Sequence, residues 1–349
     1  MKNKNIFDKK YFELTGCVHN HTEHSFDAQV KLSKIIKAAK KNELDYLTIN
    51  DHHTLAARED EAVIKENDLI VIVGAEINDP QKNNHFLVFN TDEIVRGKEA
   101  KEYIQRYADS DAICFAAHPF EKRASKLFRK YIWTNKNNDN FDGIEIWNYL
   151  SEWIGKLNPK LNGLLFVIFP SLFVKKPLRE TLDYWDELNN VGKRRSAIGS
   201  VDAHSERIEK FGIKFSFLTH KTMFSSIRTN VLIPEDIPID QQNILKALKN
   251  GNSYIVNYKV GNPYDFYAGI ASSKDDNAIF GNELQFSQNM YFYFRLPKIA
   301  RIKLYRNGKK ITSKLDEKGR FEITQKGNYR LEIYRFGYGW IFTNNIYII

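Results

Sequence analysis

Along the first two hundred residues, short apolar runs alternate with polar clusters in a repeating order. YFELTGCV (11–18) ends at His19, DYLTI (45–49) at Asn50, Asp51, His52 and His53, and LIVIVGA (69–75) at Glu76. AICFAA (112–117) ends at His118, FDGIEIW (141–147) contains Glu145, and RSAIGSV (195–201) ends at Asp202 and His204. These runs have the length and texture of strands. Helical patterns follow them: KLSKIIKAAKKNELD (31–45) carries Leu32, Ile35, Ile36 and Ala39 at helical spacing, and the Ala- and Glu-rich LAAREDEAVIKEN (55–67) comes after the second run. Such βα alternation predicts an α/β unit, a parallel barrel or doubly wound sheet, with its active site at the C-terminal ends of the strands.

From about residue 225 the pattern changes to short alternating strands, such as RTNVLI (228–233), SYIVNY (253–258), MYFYFRL (290–296) and NYRLEIYRF (328–336). Asn307-Gly308, Lys318-Gly319 and Gly327-Asn328 punctuate them as turns, and one helix, DQQNILKALKNG (240–251), carries a stop signal at Gly251. The expected organisation is a barrel over 1–224 and a C-terminal β-sandwich over 225–349. Histidine is absent from 225 onwards, which assigns the chemistry to the first unit.

Composition adds limits. The 349 residues are 42% hydrophobic and 27% charged, which is globular material with enough apolar mass for a real core. The net charge of +9 is dispersed in clusters such as EKRASKLFRK (121–130) and GKRRSA (192–197), which read as solvated surface. Nucleic acid is therefore not the expected partner, although a positive field would draw anionic substrates towards a cleft. Cys17 and Cys114 lie in apolar runs as reduced, buried thiols, and the N-terminus lacks the apolar core of a secretory signal, so a cytoplasmic location is expected. LLFVIF (164–169) and SLFV (171–174) are too short and broken to span a bilayer. They read as a buried helix or a hydrophobic lid over the barrel mouth, with membrane-surface contact as the other reading and no stable insertion.

The densest chemistry is HNHTEHSFD (19–27), with three histidines, a glutamate and an aspartate in nine positions. In His19-x-His21 and Asp202-x-His204, positions i and i+2 of an extended chain point to one face, so each pair can offer two ligands to one point. The mixture of imidazole and carboxylate in His19, His21, Asp27, His52, Glu76, His118, Asp202 and His204 suits zinc, manganese or iron.

HNHTEHSFD, NDHH, GAEI, AHP, IEIWN and GSVDAH together resemble the motif series of the polymerase and histidinol phosphatase (PHP) superfamily of metal-dependent phosphoesterases. IEIWN, PLRETLDYWDELNNVGKRRSAIGSVDAH, ALKNGNSYIV and the closing WIFTNNIYII are similar to a branch that includes carbaryl hydrolase-like metallohydrolases with a C-terminal β-domain. The resemblance implies a distorted (β/α)7 TIM-like barrel holding two or three divalent metal ions (Zn, Mn or Fe). It implies one subsite of His19, His21, Glu76 and Asp202, a second in which Glu76 bridges to His118, and a third of Asp27, His52 and His204. Glu145 lies where some members supply a further metal ligand. Two departures stand out: Ser25-Phe26-Asp27 has one residue more than the usual Ser-Asp-Gly, and Gly199-Ser200-Val201-Asp202-Ala203-His204 is stretched while keeping Asp202 and His204 in step.

The resulting expectation is a metal-dependent hydrolase, a phosphatase or phosphodiesterase that uses a metal-bridging hydroxide on a small anionic, phosphorylated substrate. Carboxylic or carbamate ester hydrolysis is the alternative within enzymes, and a non-catalytic metal-containing binding protein the alternative outside them. Further expected catalytic roles are substrate contact or protonation of a leaving oxygen by His85, and orientation of His52 or a metal-bound water by Asp51; Arg195 and Arg207, which flank the Asp202 cluster, are expected to bind phosphate.

Overall fold

Seven strands close on themselves around the chemistry-bearing runs. In the computed structural model, which describes all residues except 137–138, 206, 211–212 and 274 and omits the side chains of 207–210 and 213–216, the chain opens with β1 (Lys2–Ile6) and β2 (Lys9–Asn20). There follow β3 (Tyr46–His52), β4 (Ile70–Ile77), β5 (Phe86–Phe89), β6 (Ile113–Ala116), β7 (Gly143–Asn148) and β8 (Ser196–Ala203). Parallel pairing runs from β2 to β3 to β4 and from β6 to β7 to β8, and β8 returns to β2, so the ring is closed. β5 alone runs antiparallel to both neighbours, and this is the distortion in a (β/α)7 barrel. Residues 78–85 are too short a connection for the crossover that a parallel β5 would need.

Helix α1 (Leu32–Lys41) buries Leu32, Ile35, Ile36 and Ala39, the face its spacing predicts. Residues 55–67 do not form one helix. A 3-10 turn at Ala56–Glu59 ends before α2 (Glu61–Ile64), because the Asp60 carboxylate accepts from the Ala62 N–H and starts a new helix there. The outer layer continues with α3 (Ala100–Ala108), α4 (Tyr149–Lys156), α5 (Gly163–Ile168), α6 (Arg179–Asn190) and α7 (His220–Met223). α8 (Gln241–Asn250) stops at left-handed Gly251. It sets Ile244, Leu245 and Leu248 among Tyr46, Phe89, Phe115 and Ile198, closing the floor of the barrel at the end away from the ligand residues. A Cβ on Gly16 would lie 2.4 Å from the Tyr46 ring, so glycine lets that ring sit across the floor.

A hairpin, β9 (Arg207–Lys210) and β10 (Ile213–Ser216), leads to the β-rich C-terminal region. This region contains β11 (Ile227–Pro234), β12 (Ser253–Asn257), β13 (Tyr267–Ala271), β14 (Asn277–Ala278), β15 (Glu283–Leu284), β16 (Met290–Arg306), β17 (Lys309–Ile323), β18 (Gly327–Arg335), β19 (Tyr338–Thr343) and β20 (Ile346–Ile348). The first half of β16 pairs with β13 and the second with β18, with a register break between Arg295 and Ala300. These strands wrap a second core that includes Phe292, Ile302, Leu331 and Trp340. Asn307 and Gly308, both at positive φ, form the expected turn between β16 and β17. Lys318-Gly319 is not a turn but lies inside β17, where Gly319 leaves room for the Phe294 ring opposite.

β2 serves both regions. Its residues Tyr11–Gly16 pair antiparallel with β11, whereas Gly16–Asn20 are a stave of the barrel. Ile6 and Tyr11 accordingly belong to the second core. Cys17 and Cys114 are buried free thiols, and burial pushes the Cys17 thiol up to about 12.

Candidate metal centre

The ligand side chains meet at the open end of the ring because strand parity sends most of them inwards. On β3, Tyr46 faces the barrel floor and Leu47 the helices, so His52 falls on the inner face; the same alternation places Glu76 on β4, Glu145 on β7 and Asp202 on β8 there. Parity alone would turn His19 and His118 outwards, since Cys17 and Ala116 pack against the helices. Both residues adopt positive φ, 66° and 27°, and this reversal brings their rings to the centre. Such backbone is uncommon outside glycine and costs on the order of 1–3 kcal/mol per residue, so the surrounding packing must hold it.

Three groups of ligand atoms result. In the first, His19, His21, Glu76 and Asp202 place one donor atom each within 4.8 Å of one another. His19 Nε2 lies 3.0 Å from Glu76 Oε2 and 3.4 Å from Asp202 Oδ1, and His21 Nε2 lies 3.2 and 3.3 Å from the same two oxygens. In the second, Asp27 Oδ2 is 3.1 Å from His52 Nε2 and 3.2 Å from His204 Nε2, with His21 adjoining. The other oxygen of Glu76 turns to a third place, 2.6 Å from His85 Nδ1 and 3.4 Å from His118 Nε2. Glu76 thus faces both sides, as a bridging carboxylate would. Among the described residues, buried His21 Nε2, which faces oxygens of Glu76 and Asp202, has no hydrogen-bond partner. That unsatisfied nitrogen, together with the carboxylate-facing nitrogens of His19 and His52, makes a donor set suited to divalent metal, so the residues present fit such ions.

The electrostatics agree. Burial opposes the charged form of His21, but Asp202 and Glu76 beside it prevail and push it up to about 10; His118 is likewise pushed up to about 9, with Glu76 as the main opposing influence to burial. Burial disfavours ionised Asp202 and Asp27, yet neighbouring imidazoles hold both well below the usual carboxylate range. A cluster that binds protons this tightly without metal presents the charge arrangement that cations would replace.

The remaining predicted residues fall in different places. Glu145 does not converge on the donor atoms: Oε1 is 2.8 Å from His19 Nδ1, and Oε2 accepts from the His118 N–H and from Asn148 Nδ2. It stands behind His19. Asp51 is also engaged away from the centre, accepting 2.6 and 2.7 Å hydrogen bonds from the N–H and hydroxyl of Thr22. His85 borders the cavity, 4.7 Å from the Tyr131 ring. Arg195 lies just before β8, at the barrel end opposite the centre, with its guanidinium over the Phe141 ring. The position before a strand faces away from that strand's C-terminal chemistry, which removes Arg195 from the mouth. The Arg207 side chain lies outside the described residues.

A cavity of about 360 Å³ opens over the centre, with His52, His85, His118, Asp202 and His204 at its base. Its cationic wall comes from Lys82, Arg123 and Arg129, two of them in the basic cluster read from sequence as solvated surface. Arg123 is fixed there by a 2.7 Å hydrogen bond to Glu121 Oε2, whose other oxygen accepts from Ser151. The sequence signal for Arg123 and Arg129 is their position just after the His118 motif. The apolar wall comes from Phe26, Phe128, Leu150 and Ile154, not from residues 161–173, so the predicted lid is not over the mouth. His220 lies outside the sequence clusters. Its Nε2–H donates to the His21 carbonyl at 3.2 Å, and burial drives its ring down to about 3, leaving a neutral prop for the His21 backbone.

Residues 18–144 match the PHP domain family. An uncharacterized protein of Methanocaldococcus jannaschii is 25% identical over 142 residues, 38% of this chain and 80% of that protein. Among solved structures, a Bacteroides vulgatus two-domain protein containing a predicted PHP-like metal-dependent phosphoesterase covers 96% of this chain and 95% of its own, at 14% identity and a TM-score of 0.47. A Bifidobacterium adolescentis protein, described as a candidate metal-dependent phosphoesterase, covers 67% of this chain and 95% of its own, at 13% identity and a TM-score of 0.35.

Proposed function

We infer that the chain is a metal-dependent phosphoesterase acting on a small phosphorylated substrate. The observation that carries this reading is the two-sided Glu76 carboxylate, with donor sets on both faces of it and a third group joined through His21. His19, His21, Glu76 and Asp202 would hold one divalent ion, Glu76 and His118 a second with His85 beside it, and Asp27, His52 and His204 a third. When bound, such ions lower the pKa of water and neutralise charge on phosphoryl oxygens.

The protein's own groups supply the rest. Glu145 and His220 act as positioning residues, Glu145 fixing the tautomer of His19 and His220 holding the His21 backbone. Asp51 pins Thr22 and so fixes the loop from His21 to Asp27. His85, which borders the cavity with its Nδ1 2.6 Å from Glu76 Oε1, would protonate a leaving oxygen. Lys82 and Arg129 draw the anion in, while the Phe26, Phe128 and Leu150 side accommodates an apolar or aromatic leaving group. That apolar side also suits a carbamate or carboxylic ester, the second reading.

The test is metal content by elemental analysis of protein purified without chelator, followed by turnover of an aryl phosphomonoester, an aryl phosphodiester and an aryl carbamate. Two or three ions per chain, a lower content in Asp202→Ala and turnover of a phosphate ester support the proposal. Turnover of the carbamate alone transfers the assignment to the second reading. One ion or none, with no turnover after manganese, zinc or iron is supplied, leaves only a binding protein.

A further inference from the structure

The predicted lid segment has a different setting from the one its sequence suggests. Between Glu152 and Glu180 the chain contains no acidic residue but has Lys156, Lys160, Lys175, Lys176 and Arg179. Over residues 161–172 Phe166 alone is buried, stacked on Phe173 at 3.5 Å and edge-on to Trp153. The rest points out: Leu161 is 83% exposed and Leu164 74%, and Leu165, Ile168, Phe169 and Leu172 are each more than half exposed. Six large apolar side chains on one short stretch are more than a monomer scatters on its surface by chance.

The C-terminal region extends this face. The Gly339 N–H donates to the Lys175 carbonyl at 2.8 Å, and the Tyr338 hydroxyl donates to the Leu172 carbonyl at 3.2 Å, so the segment is fastened beside β19. Next to it Lys176, Lys298, Arg301, Lys303 and Arg335 line a groove of about 810 Å³, with Glu317 the acidic residue among its lining. Phe336, 83% exposed, and Ile299, 61% exposed, stand on the same rim. Apolar side chains are thus bordered by cations drawn from both regions of the molecule.

We propose that this face is a peripheral membrane-docking surface, in which Leu161, Leu164, Leu165, Ile168, Phe169 and Leu172 enter the headgroup boundary of an anionic bilayer while the flanking lysines and arginines meet its negative charge. Short apolar insertions bordered by cations are the composition that interfacial binding requires, and insertion and charge attraction supplement one another. A second copy of the chain is the poorer occupant, because a two-fold contact sets Lys160, Lys175 and Lys176 against their own images. Among the described residues no helix is long and apolar enough to cross a membrane, so attachment is at the surface.

The experiment is co-sedimentation of the full chain with vesicles of phosphatidylcholine alone or containing about one-third phosphatidylserine. Binding is expected to the anionic vesicles, weakening as salt rises. At roughly fivefold in partitioning per lysine near an anionic surface, Lys175→Ala with Lys176→Ala lowers it about 25-fold. Leu164→Ser, Leu165→Ser and Ile168→Ser together remove most binding even at low salt, with metal content and elution volume unchanged. Failure of the parent protein to bind anionic vesicles overturns the proposal, as does binding that neither variant weakens, since scattered surface charge would then explain it. If the serine variant instead converts a dimer to a monomer, or the lysine variant releases a nucleic acid while vesicles stay unbound, the face belongs to a different partner and the proposal fails.

Discussion

At the scale of single residues, the centre is governed by which side chains donate and which hold the donors in place. Glu145→Gln keeps the shape behind His19 but removes the negative charge at Nδ1, so metal affinity should fall about 10- to 100-fold. A chelator-competition titration reads this directly, and unchanged affinity would remove Glu145 from its positioning role. The protonation pattern gives a second prediction. His21 and His118 have folded-state values raised to about 10 and about 9, so their contribution to metal-free stability is complete below the unfolded value, about 6.5, and is lost as pH rises through 9 to 10. Metal-free protein should therefore lose several kcal/mol of stability between pH 6.5 and pH 10, by denaturant titration, and bound metal should abolish the loss. Metal affinity has the opposite slope and rises over the same range as protons leave. The identities of the donors were legible in the sequence because imidazoles and carboxylates collect at strand ends. The direction of two of them was not: alternation sends His19 and His118 outwards, and only their positive φ reverses it.

At the scale of elements, the loop between His21 and Asp27 depends on its anchor. Asp51→Ala leaves the Thr22 N–H and hydroxyl without their acceptor, at a cost of about 1–3 kcal/mol. It should also empty the Asp27, His52 and His204 group, which elemental analysis reads as one ion fewer per chain. If the full content persists, the loop is held by other contacts. Helix α1 and the barrel strands follow from periodicity. The antiparallel β5 does not, because its direction is set by the brevity of residues 78–85 and not by its own FLVF sequence. The break at Asp60 was hidden for a related reason: a cap competes with the helical pattern around it, and its hydrogen bond decides the outcome.

At the scale of the molecule, the barrel and the C-terminal region are joined by buried charge. Asp186 on α6 and Glu332 on β18 share Arg330, whose Nη2 lies 3.0 Å from an oxygen of each, and whose guanidinium is 5.1 Å from the Trp185 ring. Arg330→Ala should destabilise the chain by about 3–5 kcal/mol, since two buried carboxylates would lose their cation. Replacing all three with apolar residues of similar volume should restore most of that loss, and equilibrium denaturation of both variants separates charge from packing. Sequence texture marks the passage from barrel to β-rich region near residue 225, but it gives no sign of this ion group or of the strand that crosses between the two.

That strand limits how the protein can be divided. β2 is paired with β11 before it enters the barrel and delivers His19 and His21. A fragment ending at residue 224 would expose the β2 flank as an unpaired edge, open to adhesion between copies. The candidate metal centre is consequently not a unit separable from the C-terminal part. The two parts are therefore expected to lose solubility when expressed apart.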